Sequence, residues 1–246
     1  MRAWIALLKK DFKLTRTVFF VGLVINLLIV MLTMYVGMIA DDTLFMFTPL
    51  VVAVVIHVLY VPVIVFIGLR TEGNQLHVWL HNPQPAAALI ISKIVNGLIM
   101  IVISLVMMYV MSGLLIISKF NLIEAYWTDT WKSGLFIFPH IIMISMMMSV
   151  WVIFLWALFQ FLKYTIGRWS WLAVIGAVII TSWATALFES TSLYRLVTRW
   201  GSVTYNFPSF SIEPIQANAG EYIYNFIFII GLFFLTSWII DNKVEV

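Results

Sequence analysis

The feature that most limits how this chain can fold is a series of long, continuously apolar runs. A helix needs about 20 apolar residues to cross the hydrocarbon of a bilayer, and six segments reach that length. The runs do not alternate between apolar and polar positions, as barrel strands would, so only helices fit them. The six predicted spans are residues 17–40, 44–69, 86–117, 135–162, 169–188 and 222–240.

Composition indicates the same class of protein. Hydrophobic residues make up 63% of the 246 residues and charged residues only 10%, whereas about 25% of a soluble domain is charged. Such a chain cannot hide its apolar surface from water by folding on itself. The net charge of +3 is explained by membrane orientation, and we expect no nucleic acid partner. Cysteine is absent, which excludes disulfides and thiolate metal sites.

The distribution of lysine and arginine predicts how the chain is oriented. With the N-terminus in the cytosol, ten of these residues fall on the inner side and four on the outer side, as the positive-inside rule requires. The first apolar run is too long for a cleaved signal, so we expect it to be retained. We therefore predict an all-α, multi-pass membrane protein that forms one transmembrane domain over residues 1–246, with both termini in the cytosol.

Residues 1–16 have a helical pattern of their own. Trp4, Leu8 and Phe12 recur at i, i+4 and i+8, which predicts an interfacial amphipathic helix that runs into the first span. A basic flank that merely orients the span explains the same residues.

Residues 187–220 are long for a connection between spans. Within them Leu193, Leu196, Val197 and Trp200 recur at helical spacing, which predicts a short amphipathic helix at or dipping into the outer leaflet. We expect Pro208 and Pro214 to break the chain before the last span.

The loop over residues 70–85 is the most polar internal segment on the predicted cytosolic side. Glu72 with Gly73 can begin a short helix there, and Pro83 ends it. Its apolar stripe consists of Leu76, Trp79 and Leu80. A stub helix with one apolar face suits docking into a groove of a soluble partner; the alternative is that Trp79 anchors the loop among lipid headgroups.

Several kinds of chemistry lack their motifs in this sequence. The phosphate-binding loop, the GxSxG nucleophile elbow and the HExxH zinc pair are all absent, so we expect no catalytic residues. All eleven acidic residues lie in loops or at span ends, which argues against a proton- or sodium-driven carrier. His77 and His81 share a helical face but lack a third ligand, so no metal site is expected. The methionines are interpreted as adaptable packing rather than copper ligands, and His57 and His140 as hydrogen-bonded within the bundle.

Four short segments resemble the permease subunit of type-2 ATP-binding cassette exporters. They are KKDFK at 9–13, RTEG at 70–73, WLHNP at 79–83 and LIISK at 89–93. The last three together are similar to the family's Arg-x-Glu-x-Gly, Pro and Leu-Leu-x-x-Lys pattern. The order of parts is also similar over the whole chain. The sequence departs from many relatives at 85–87, where Pro, Ala and Ala replace a polar residue.

The resemblance implies six spans, a coupling helix in the loop between spans two and three, and a re-entrant segment between spans five and six. It implies that Glu72, Leu76, Trp79, Leu80 and His81 contact a separate ATPase subunit, which would hold ATP and Mg, with no cofactor in this chain. It also implies a second permease and membrane lipid as partners, location in a bacterial cell membrane, and outward movement of an amphipathic peptide, lipid-like or drug-like substrate between the two permeases. Two other classes remain open: an intramembrane lipid-modifying enzyme using His57 or His140, and a scaffold or sensor that transports nothing.

Overall fold

A computed structural model of the protein describes residues 2–39, 43–73, 84–118, 127–207 and 212–244. These residues are mainly helical, and they divide into two compact units. The first unit contains residues 2–39, 43–73, 91–118, 127–149 and 207, and the second contains 84–90, 150–206 and 212–244. The elements are α1 (Arg2–Ile39), α2 (Thr43–Met46), α3 (Thr48–Ile56), α4 (Tyr60–Gly73), α5 (Ala86–Ser118), α6 (Trp127–Ile166), α7 (Ser170–Glu189), α8 (Ser192–Thr198), β1 (Ser202–Phe207), β2 (Ile212–Asn218) and α9 (Ala219–Lys243).

Five helical stretches of the described chain are long and apolar enough to cross a membrane. They are Trp4–Ile39, Thr48–Gly73, Ala86–Ile117, Trp127–Glu189 and Ala219–Lys243. This confirms the expectation of a helical chain with long apolar helices. The fourth stretch is 63 residues long and contains two of the six predicted spans.

The first helix is continuous from Arg2 to Ile39, so the predicted interfacial helix and the first span are one element. At 38 residues it is about 57 Å long, whereas the hydrocarbon is about 30 Å thick. Part of α1 therefore extends beyond the hydrocarbon. Near its start, the face that packs into the first unit consists of Leu7, Asp11 and Thr15, each less than 9% exposed.

The second predicted span is interrupted near its middle. A 3₁₀ turn over His57–Leu59 separates α3 from α4. Pro62 explains the interruption, because it has no N–H to donate to the carbonyl four residues earlier and its ring crowds that carbonyl. The backbone N–H of Val61 donates to Ser145 Oγ of α6, at 3.3 Å. A side chain of another helix thus bonds to the backbone beside the interruption.

The core of the first unit lies where α1, the α3–α4 span and α5 pack together. One cluster joins Val30, Leu50, Ala53 and Met108, and a second joins Phe19, Ile64 and Met100. Gly97 of α5 allows a close approach to α4, because an added Cβ would lie 2.6 Å from Val61 Cγ1.

The second unit is built from the end of α6, α7, α8, the two strands and α9. A 3₁₀ turn over Gly167–Trp169 ends α6, and Gly167 has φ +59°, a conformation that favours glycine. A short helix, α8, lies within the predicted segment and ends at Thr198; the re-entrant path of this segment and its depth in the membrane stay predictions.

The strands β1 and β2 form a two-stranded sheet, which corrects the all-α expectation. Only residues 208–211 separate them, and a connection this short joins antiparallel strands. Pro214, which we expected to break the chain, lies inside β2. Both strands of such a sheet are edge strands, where proline is tolerated.

Candidate functional site: a buried ion network

The first unit contains a chain of ion pairs between three helices. Lys93 Nζ lies 2.9 Å from Asp11 Oδ1 and 2.6 Å from Glu72 Oε2. The other oxygen of Glu72, Oε1, lies 2.5 Å from Lys10 Nζ. The contact between Lys93 and Glu72 is an ion pair without an aligned hydrogen bond, whereas Lys93 does donate a hydrogen bond to Asp11. The hydroxyl of Ser92 donates to Asp11 Oδ2.

Most of this network is shielded from solvent. Lys93 and Asp11 are only 4% and 3% exposed, the Glu72 side chain is 10% exposed, and Lys10 is 40% exposed. Burying a single ion costs roughly several kcal/mol, and only close pairing with an opposite charge offsets this cost. Two lysines and two carboxylates balance in formal charge. The four side chains together therefore carry no net formal charge, and the loss of any one of them leaves a charge without its partner.

The positions of the network residues along α1, α4 and α5 explain which partners they reach. Lys10 and Asp11 are neighbours on α1, so their side chains point about 100° apart and reach two different partners. Glu72 lies in the last turn of α4, two positions before residue 74, and Ser92 and Lys93 lie in the second turn of α5. The network consequently ties the end of α4 to both α1 and α5.

A second polar contact lies one turn deeper along α1 and α5. Asn96 Nδ2 donates to Thr15 Oγ1 at 3.0 Å, and Thr15 Oγ1 donates to the Asp11 carbonyl at 2.9 Å. Both residues are buried. Polar contacts between α1 and α5 therefore continue for one further turn beyond the ion pairs.

A third polar cluster joins the same helices beside the break in the second span. Asn26 Nδ2 donates to Ser104 Oγ at 2.9 Å, and Ser104 Oγ lies 3.0 Å from His57 Nε2. His57 Nδ1 lies 2.7 Å from the Ala53 carbonyl, which can only accept. The ring therefore carries its hydrogen on Nδ1 and accepts from Ser104 through Nε2. This confirms that His57 is hydrogen-bonded within the bundle.

The residues predicted to contact an ATPase are only partly described. Glu72 lies in the ion network. Leu76, Trp79, Leu80 and His81, together with His77, lie outside the described residues, and their roles stay predictions. Within the described parts of the chain, no group of three His, Asp or Glu side chains is placed to hold a metal ion.

The predicted apolar stripe of α1 lies beside its buried face. Trp4 and Leu8 are half-buried, and Phe12 is 43% exposed. The sequence pattern thus identified an apolar stripe but not the face that packs into the unit. Sequence reasoning placed Asp11 in the segment 9–13 and Lys93 in the segment 89–93, but it did not predict that these two side chains pair. A lysine one or two turns into an apolar run was a signal to look for a carboxylate partner.

In the second unit, the predicted apolar face of α8 is exposed. Leu193 and Leu196 of α8 are 57% and 77% exposed, and Trp200, two residues beyond the end of α8, is 48% exposed. The opposite face packs inward through Tyr194, whose ring contacts Phe188 and Tyr224 at centroid distances of 5.6 Å and 5.5 Å.

The surroundings of Tyr194 also affect its ionisation. Partial burial raises the pKa of Tyr194 above its ordinary value, and the nearby carboxylates of Glu189 and Glu221 raise it further. Each of these effects disfavours the phenolate, so the protein holds the phenol proton more tightly than an unfolded chain does.

The same unit holds the N-terminus of α5. The backbone N–H of Ala86 donates to Asp241 Oδ1 at 3.1 Å, so a carboxylate near the end of α9 caps the first turn of α5. A negative charge is favourable at this end of a helix.

No protein family model, curated protein sequence or solved structure matches this chain. Its function therefore has to be argued from its own residues.

Proposed function

We propose that this chain is the membrane-spanning permease subunit of an ATP-driven exporter whose ATPase is a separate chain. One observation carries the proposal. Lys10, Asp11, Glu72 and Lys93 come from the segments 9–13, 70–73 and 89–93 that resemble that family, and they meet in one buried network. Partners lie 62 and 82 positions apart in sequence, so adjacency in the chain does not explain their meeting.

In this proposal the loop over residues 70–85 receives the motion of the ATPase. Glu72 precedes residues 74–83 and is paired with Lys10 and Lys93. On the other side of the loop, Ala86 is capped by Asp241. Because ion pairs hold Glu72 to α1 and α5, a displacement of the loop moves these helices instead of being lost in a flexible connection. Leu76, Trp79, Leu80 and His81 supply the contact with the ATPase.

The remaining parts of the proposal follow the same architecture. The chain crosses the membrane six times, with α6 and α7 as separate crossings and both termini in the cytosol. Two permeases, identical or related, form the path between them. ATP and Mg are bound by the partner ATPase, and the substrate is an amphipathic peptide, lipid-like or drug-like molecule moved outward.

The proposal is tested by measuring ATP hydrolysis by the purified permease–ATPase complex in lipid vesicles. We expect Glu72→Gln and Trp79→Ala to reduce the dependence of hydrolysis on the permease while both chains still copurify. The matched control is Glu213→Gln, which removes an exposed carboxylate of the β-hairpin and is expected to leave hydrolysis unchanged. Equal hydrolysis by all the variants and the native complex would refute the role of the loop.

A further inference from the structure

The exposed surface at the start of α1 carries positive charge without negative charge. Lys9, Lys13 and Arg16 are exposed, whereas Asp11, the one acidic residue between Trp4 and Thr17, is buried against Lys93. Lys10 points toward Glu72. The ion network thus removes the acid from this surface and leaves the other three cations facing outward.

These cations are concentrated on one side of the helix. At about 100° per residue, Arg16, Lys9 and Lys13 fall within an arc of about 60°, centred about 170° from Asp11. An apolar sector adjoins them, formed by Ile5 and Phe12, which are 48% and 43% exposed. A cationic sector beside an apolar sector is the pattern of a helix at a membrane interface.

The length of α1 sets the depth of this cationic sector. Residues 17–39 contain no charged side chain and extend about 35 Å as a helix, enough to fill the hydrocarbon thickness of about 30 Å. Arg16 immediately precedes this stretch, and Lys13 and Lys9 lie one and two turns before it. The cations are therefore at the level of the lipid headgroups.

We propose that Lys9, Lys13 and Arg16 form a docking surface for the anionic phospholipid headgroups of the surrounding leaflet, with Phe12 and Ile5 among the adjoining acyl chains. The depth of the cations favours lipid over a soluble protein as the occupant. Lipid binding at this surface is independent of transport, because it requires no ATPase and would occur whether or not the chain is a permease.

The test uses the purified chain alone in nanodiscs that contain equal amounts of phosphatidylglycerol and phosphatidylcholine. Native mass spectrometry after gentle release measures which lipids stay bound. We expect the native chain to retain phosphatidylglycerol preferentially, and the variant Lys9→Gln/Lys13→Gln/Arg16→Gln to lose that preference by up to about 100-fold, at about fivefold per cation.

A charge-matched control is Lys163→Gln/Arg168→Gln/Lys243→Gln, which removes three other exposed cations that do not share one face of a helix. This control and the variant Lys9→Arg/Lys13→Arg are both expected to keep the preference. Circular dichroism checks that all the variants remain helical. An equal loss in both triple variants, no loss in the first, equal retention of the two lipids by the native chain, or a preference that requires a copurifying protein would overturn the proposal.

Discussion

Lys93 of α5 and Asp11 of α1 form a buried ion pair at 2.9 Å across 82 positions of sequence. Glu72 joins the pair from the end of α4, so three helices share one set of charges. We expect this set of buried charges to fix which residues of the three helices face each other.

Removing Lys93 should strongly destabilise the fold. We expect Lys93→Met to lower the free energy of unfolding by about 3–5 kcal/mol, because Asp11 and Glu72 then lack a buried cation. Unfolding by dodecyl sulfate in mixed micelles, followed by circular dichroism, measures this change.

The double variant Lys93→Met/Asp11→Leu tests whether the cost comes from the unpaired charge. It removes one cation and one anion and leaves Lys10 paired with Glu72, so we expect it to be more stable than Lys93→Met alone. If the two substitutions instead destabilise additively, the side chains are not coupled and the network is not the cause.

Ser104→Ala should weaken the polar cluster beside the break in the second span. It removes the partner of both Asn26 and His57, and we expect a loss of about 1–2 kcal/mol in the same unfolding measurement. Ser112→Ala on the same helix is the control, since the Ser112 hydroxyl bonds to the Met108 carbonyl of its own helix. Equal effects of the two substitutions would show that Ser104 does not link the helices.

Gly97→Ala should force α5 away from α4. An added Cβ would lie 2.6 Å from Val61 Cγ1, and Val61 is fully buried, so we expect destabilisation of roughly 1–3 kcal/mol. Gly113→Ala lies on the same helix with no atom within 4 Å of the added Cβ, and it should change stability by less than about 1 kcal/mol. Combining Gly97→Ala with Val61→Ala should recover part of the loss; failure to do so would contradict the steric explanation.

Tyr194 predicts a pH dependence at the alkaline end. Its pKa is raised in the folded protein, so the native state holds the phenol proton more tightly than the unfolded chain, whose tyrosines titrate near about 10. The stabilisation is complete below that unfolded pKa and is lost as pH rises through the higher folded pKa. The difference in unfolding free energy between the native chain and Tyr194→Phe should therefore be smaller at pH 11 than at pH 8. A difference in unfolding free energy that grows with pH would contradict a raised pKa for Tyr194 in the folded protein.

Local patterns in the sequence were enough to predict the long helices and α8, because these depend on runs of apolar residues and on helical spacing. Pro62 also carried a sufficient local signal for the break at His57–Leu59, although the break was not predicted. The pairing of Asp11 with Lys93 was beyond such reasoning, since it depends on how α1 and α5 pack. The β-hairpin was missed because Pro208 and Pro214 were taken only as helix breakers, whereas edge strands accept proline.

The most direct test of the central proposal is isolation of the affinity-tagged chain, under mild extraction, from the cells that naturally produce it. If the chain is an exporter permease, an ATP-binding cassette ATPase copurifies in a comparable molar amount, and a second permease is present in the same complex. Recovery of the chain as a monomer, with no ATPase bound after gentle extraction, would contradict the proposal.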